Sequence, residues 1–308
     1  MRVSTANSFD TTVNNLARRQ AELVAQQERL STGKRVLRAS DDPVAATLAE
    51  SAQNRLTRVQ GDLRAMEASR ASLAQAESGL AESGDLIQKA RDLIIAAGNG
   101  SYSQREREDI SRQLLGLREQ MFGVANLKNN AGRTLFGGLG GEATPFDSSG
   151  PSGVFQGQRG QQAAGNTSLP QSLDGNSIWM QIPASDITAN PTGKTTIFKV
   201  MQDTMDALNP VNDASRTARL ASALTDLDAG LDRVLLARGY AGEMLNRADS
   251  LESLLDTRTL AYEREKSQLE DLDLIKGISD FQNQQIGLEA ALKSYAQVQR
   301  LSLFEFVR

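Results

Sequence analysis

The chain has 308 residues, of which 39% are hydrophobic and only 5% aromatic, with a net charge of −4 and neither cysteine nor histidine. The missing Cys and His exclude disulfides, thiol nucleophiles, the usual zinc sites, the Ser-His-Asp arrangement and the usual general base near neutral pH. The acidic balance argues against a general nucleic-acid or membrane-surface binder, and the prior for catalysis falls with the missing residue types.

Bulky side chains are scarce, and Ala, Leu, Gln, Glu, Arg and Ser take their place. That composition suits long amphipathic helices packed along narrow seams. No run of 18 apolar residues is present to span a membrane. The opening Met1-Arg2-Val3-Ser4-Thr5-Ala6-Asn7 lacks the apolar stretch of a secretory signal, so departure from the cell would need another route.

Phe9, Val13, Leu16, Gln20, Leu23, Gln27 and Leu30 recur at 4-3-4-3 spacing and place one stripe on one face of a first helix. Gly33 ends that helix, and Lys34-Arg35 follow. In Ala39-Ser40-Asp41-Asp42-Pro43-Val44, Pro43 suits a first helical turn and Asp41 or Asp42 suits its cap. Residues 33–42 therefore read as a hinge or loop. Val59, Met66, Leu73, Leu80, Ile87 and Ile94 then stand seven apart, with mostly small companions at Asp62, Ser69, Ala76, Ser83, Ala90 and Ala97. This pattern predicts one long helix over about 43–97, packed closely by another. Gly98-Asn99-Gly100 breaks it, and Ile110, Leu114, Leu117, Met121 and Val124 mark a returning helix.

Between 131 and 200 the character changes, with Gly at 132, 137, 138, 140, 141, 150, 153, 157, 160 and 165 and Pro at 145, 151, 170, 183 and 191. Gly153-Val154-Phe155 and Ser177–Ile182 read as short strands between turns, making this a small β-rich insertion or in part a disordered loop. Helical spacing resumes at Leu220, Leu224, Leu227, Leu231 and Val234, then Leu245, Ala248, Leu251 and Leu255. Ile278, Phe281, Gln285, Leu288, Leu292 and Tyr295 form another stripe, and Leu301, Leu303, Phe304 and Phe306 cluster at the tail.

The expected fold is mainly α: a long coiled-coil-like helical bundle formed by both chain halves, with a small β-rich inserted domain. Its divisions are a terminal helical assembly domain (1–40 with 272–308), a helical rod (41–130 with 204–271) and the insertion (131–203). Each terminal helix carries too few apolar side chains to be stable alone. The reading is that the two ends pair with each other and with neighbouring copies, and order on assembly. Gln20, Gln27 and Gln285 either limit the register of that seam or face solvent at its edge.

Several segments are specific enough to carry a resemblance. Met1-Arg2-Val3-Ser4-Thr5, Leu30-Ser31-Thr32-Gly33-Lys34-Arg35-Val36, Ser40-Asp41-Asp42-Pro43-Val44-Ala45-Ala46 and Leu135-Phe136-Gly137-Gly138 come from the first half. Leu269-Glu270-Asp271-Leu272-Asp273, Leu288–Tyr295 and Leu301–Phe306 come from the second. In this order they resemble the hook–filament junction family of flagellar proteins (hook-associated protein 3), relatives of flagellin, over about 1–140 and 200–308. Filament flagellin is the alternative, although Asp42-Pro43 and Ser302-Leu303-Phe304 look more like the junction family.

The resemblance implies a non-enzymatic structural subunit without cofactor, located outside the cell and exported through the flagellar type III channel without a cleaved signal. It implies as partners a ring of identical subunits, an adjacent hook-associated protein, flagellin, and an export chaperone and apparatus, with neither nucleic acid nor membrane among them. The residues expected to carry assembly are Phe9, Val13, Leu16, Leu23, Leu30, Ile278, Phe281, Leu288, Leu292, Tyr295, Leu301, Leu303 and Phe304.

Other motifs read more plainly. Gly138-Leu139-Gly140-Gly141-Glu142-Ala143 matches a dinucleotide pattern but lacks the flanking strand and helix that such a site needs. Asp271 and Asp273 read as a solvated face rather than a cation site. Asn166-Thr167-Ser168 is a glycosylation sequon by pattern only. The first 38 residues hold seven basic and three acidic side chains, which serve export, inter-subunit pairing or solvation. An intracellular helical signalling bundle, with its tip at Gly98–Gly100, is the rival from another class.

Overall fold

The computed structural model describes residues 2–140, 144–161, 169–209 and 215–306, and the side chains of 2–9 and 298–306 fall outside the described set. In chain order the elements are α1 (Arg2–Thr32), α2 (Pro43–Ala97), α3 (Gln104–Ala125), β1 (Phe146–Asp147), β2 (Val154–Phe155), β3 (Ile182–Pro183), β4 (Lys194–Thr195), α4 (Ile197–Ala207), α5 (Arg216–Glu270) and α6 (Leu274–Phe306). They form two compact units: residues 1–59 with 257–308, and residues 60–256.

In the first unit, α1 stops at Gly33, whose φ of 69° is a left-handed conformation that an L side chain resists. Asp42 caps α2 by accepting from the Ala45 N–H at 3.0 Å, with Pro43 as the first helical residue. Asp273 caps α6 in the same way, accepting from the Ile275 and Lys276 N–H groups. The helix α1 runs antiparallel to α6, with Gln26 against Gly277 and the Arg19 guanidinium close to Gly287. Ala45, Ala49, Ala52, Leu56 and Val59 of α2 are buried at alternating 4-3 spacing. Beside them, Arg55 pairs with Glu265 at 2.9 Å, and its guanidinium lies 5.2 Å from the Tyr262 ring centre.

The second unit contains the heptad run, and every large member of it from Met66 to Ile94 is buried. The antiparallel helix α5 supplies the matching seam, with Leu220, Leu227, Val234, Ala241, Ala248 and Leu255 buried seven apart. Ion pairs flank the seam: Arg70 with Asp249 and Glu252, Glu77 with Arg238, and Arg91 with Asp228. After the break at Gly98, Ser103 and Glu106 form a reciprocal capping box that starts α3. From α3, Ile110, Leu114, Met121, Phe122 and Val124 are buried.

The inserted segment has little regular β structure. Antiparallel pairs β1–β2 and β3–β4 are two residues long each. An aromatic core holds the rest together. Phe122 stacks on Phe198 with ring centres 3.8 Å apart, and Trp179 meets Phe136 and Phe146 edge to face.

Two expectations need correction. Ser177–Met180 is not a strand: Asn176–Met180 is a single π-helical turn, and only Ile182 continues into β3. Ile178 and Trp179 are both buried, which a strand's alternation forbids against one core. Asp174 fixes the turn by accepting from the Asn176 N–H, while Ser177 Oγ donates to the Asp174 carbonyl. Helical structure also resumes earlier than Leu220, in α4, which Thr196 caps by accepting from the Lys199 N–H at 3.0 Å.

Gly138 explains the dinucleotide-like pattern in another way. A Cβ there would lie 1.8 Å from the Gln158 carbonyl oxygen, and its φ is +68°. Leu139 N–H donates to that same carbonyl at 2.9 Å. The glycine serves close backbone approach, and residues 141–143 of the pattern lie outside the described residues.

The candidate assembly surface

The expected assembly residues divide by exposure. Val13, Ile278 and Leu292 are exposed, whereas Leu16, Leu23, Leu30, Phe281, Leu288 and Tyr295 are half-buried where α1 and α6 lie together. The side chains of Phe9, Leu301, Leu303 and Phe304 lie outside the described residues. Half-burial recurs seven apart on both helices, at 16, 23 and 30 and at 281, 288 and 295, so one seam joins them.

That seam is thin. Among the described side chains of α1 and α6, only Gln26 and Gly277 are buried, and no large apolar group is. Gln26, 7% exposed, donates its side-chain amide to the Gly277 carbonyl at 3.2 Å. A Cβ at Gly277 would come within 3.1 Å of Leu30 and 2.8 Å of Leu272, so the glycine permits this close crossing. Gln20, Gln27 and Gln285, weighed as seam residues from their spacing, are exposed.

Sequence reasoning missed part of the apolar surface. Leu274, Ile275 and Ile286 of α6 are exposed, Ile275 at 86%; Leu274 extends the 3-4 stripe by one step, and Ile275 and Ile286 fall off it. The signal of these two was only their presence on a helix whose other face is already apolar. Val24 of α1 is likewise exposed beside its stripe.

The breaks below these helices are polar and firmly bonded. Asp41 lies below the ordinary carboxylate range because the Arg38 and Leu37 N–H groups donate to it. Asp42 is lowered by the Ala45 N–H and then by the Arg35 guanidinium. Both read as caps, not as a catalytic pair. Asp271 accepts from Ser267 Oγ, and Asp273 is engaged in capping α6. Among the described residues no three Asp or Glu side chains gather as metal ligands would. The chemistry of this region is that of helical surfaces seeking partners.

Comparison with known proteins places this arrangement. The family model for the bacterial flagellin N-terminal helical region matches residues 3–140. Flagellar hook-associated protein 3 of Escherichia coli is 31% identical over 99% of this chain and 99% of its own. The protein of the same name from Salmonella typhimurium is 30% identical over the full length of both. A crystal structure of flagellar hook-associated protein 3 from Legionella pneumophila shares the fold, with a TM-score of 0.63, 17% identity, and coverage of 71% of this chain and 98% of that one. The chain belongs to the flagellar hook-associated protein 3 family.

Proposed function

We propose that the chain is a structural subunit of the bacterial flagellum that joins hook to filament, assembling through its paired terminal helices into a ring of identical subunits. The observation that carries this reading is the imbalance at the chain ends. The helices α1 and α6 pair but bury no large apolar side chain among those described, and they leave Val13, Val24, Ile275, Ile278, Ile286 and Leu292 exposed. A two-helix pair that buries so little of its own apolar surface gains most from additional helices on its open faces. The names of the two full-length relatives support the flagellar setting.

On this reading, residues 1–40 and 272–308 form the assembly domain, 41–130 and 204–271 the rod, and 131–203 an outward-facing insertion. The neighbours are an adjacent hook-associated protein on one side and flagellin on the other. An export chaperone and the type III apparatus deliver the chain to the outside of the cell. No helix among the described residues is long and apolar enough to cross a membrane. The role is mechanical, not catalytic.

Deletion of residues 2–32, or separately of 274–308, tests the proposal. Each truncated chain is expected to remain soluble and folded yet fail to attach filament to hook, measured by motility and by the protein content of sheared flagella. Normal motility with either truncation contradicts the reading.

A further inference from the structure

Three segments whose roles the assembly surface leaves unused meet at one place: Gly33-Lys34-Arg35-Val36, the Asp41-Asp42-Pro43 start of α2, and Leu269–Asp273 at the end of α5. The two passages of chain break their helices at the same level and are stitched together there. Leu272 N–H donates to the Gly33 carbonyl at 2.8 Å, and Arg35 N–H donates to the Glu270 carbonyl at 2.6 Å. Val36 N–H shares the Glu270 carbonyl at 3.3 Å, and its side chain is buried. The Lys34 ammonium pairs with the Glu270 carboxylate at 2.9 Å.

Arg35 ties these bonds to a third element. Its Nη2 donates to the Leu269 carbonyl at 2.8 Å, while its Nη1 pairs with Asp42 Oδ2 at 3.2 Å. Asp42 Oδ1 caps α2 at the same time. One guanidinium fork therefore joins the end of α5 to the start of α2. The last carbonyls of α5, which a helix cannot satisfy itself, are capped by the connection that follows α1.

We propose that this joint opens and closes as one unit, with Arg35 as its pin, so that the breaks after α1 and before α6 loosen together and not separately. The physical ground is reciprocity. Withdrawing 33–36 strips the caps from Leu269 and Glu270, and withdrawing 269–272 leaves the Gly33 carbonyl and the Arg35 N–H unpaired. Neither strand gains by opening alone. The proposal concerns the single chain in solution and does not depend on the assembly reading.

Hydrogen–deuterium exchange of the full chain tests it, reading peptides over 33–43 and 266–278. In the unaltered chain the Arg35, Val36 and Leu272 amides are expected to share one opening rate. Arg35→Ala is expected to accelerate exchange in both peptides by about tenfold. Arg38→Ala, which removes the neighbouring surface pair with Glu28 and a nearby charge from Asp41 but none of the bonds of the joint, leaves both unchanged.

Asp42→Asn keeps a capping side chain but removes the charge facing Arg35. It is expected to accelerate 266–278, a segment to which Asp42 makes no bond of its own in the network above. Acceleration confined to 33–43 in either the Arg35 or the Asp42 variant overturns the proposal, as does exchange that stays unchanged in both peptides.

Discussion

The Gln26 side chain donates to the backbone carbonyl of Gly277 across 251 residues of sequence, where α1 packs on α6. The contact is polar and narrow, and the absent Cβ of Gly277 is what admits Leu30 beside Leu272. Gly277→Val is therefore expected to push α1 from α6. Overpacking of this kind costs about 1–3 kcal/mol. Far-UV circular dichroism should show lost helix from the terminal pair, while the main thermal transition, which belongs to residues 60–256, stays in place. A fall in that main transition would show that the two ends support the rest of the chain.

The aromatic stack of the second unit should respond in the opposite way. Phe198 is fully buried, and its ring lies 11° from parallel to that of Phe122. Phe198→Ala should cost about 3–5 kcal/mol, as a lost ring plus a cavity does. Urea unfolding would read this as a lower midpoint with an unchanged slope. Assembly into flagella at low temperature should survive, because the site of the change is distant in function from the terminal helices.

Acid should weaken the chain through its caps. The Asp41 and Asp42 carboxyls lie below their ordinary value of 3.8, held there by backbone N–H groups and, for Asp42, by Arg35. Glu106 is lowered as well, by the Ser103 N–H and then the Ser103 hydroxyl. Groups depressed in the folded chain stabilise it fully above their unfolded values and lose that contribution as pH falls through the lower folded ones. The temperature at which the first unit loses helix should thus be flat above about pH 5 and decline below about pH 4, and Glu106 should give the main transition a decline of the same sign. Asp42→Asn should lower the plateau and make the decline shallower, and an unchanged acid limb would contradict the assignment of the caps.

How much of this was legible depended on side-chain size. Large residues mark the seam of α2 from Val59 to Ile94, so its period and its end at Ala97 could be read directly. The facing seam of α5 could be read at Leu220, Leu227, Val234, Ala248 and Leu255, whereas its small members Ala223, Gly230 and Ala241 carry no signal of size. Leu224 and Leu231, counted in the same stripe, lie beside the seam and are only partly buried. The helix α4 was hidden at the edge of a Gly- and Pro-rich stretch, although Ile197, Phe198, Val200, Met201 and Thr204 carry a helical period that its burial confirms. The turn at 176–180 depends on Asp174 and on core contacts from distant elements, neither of which a local pattern reveals.

At the assembly surface the stripes through Leu16, Leu23 and Leu30 and through Phe281, Leu288 and Tyr295 were legible as a period. The structure uses them for the contact between α1 and α6. The apolar residues left over, such as Ile275 and Ile286, were not legible, because a single-stripe reading assigns their face to solvent. Spacing also selected Gln20 and Gln27, whereas the buried amide is Gln26, one residue along.

The most direct test of the central claim combines Ile275→Asp, Ile278→Asp and Leu292→Asp in the full chain, three exposed positions on α6. The melting temperature of the purified monomer and the motility of cells carrying the variant as their only copy are measured together. The account predicts a melting temperature within about 1 °C of the unaltered chain, as expected for surface changes, with loss of filament attachment. Full motility, or a monomer that unfolds, would contradict it.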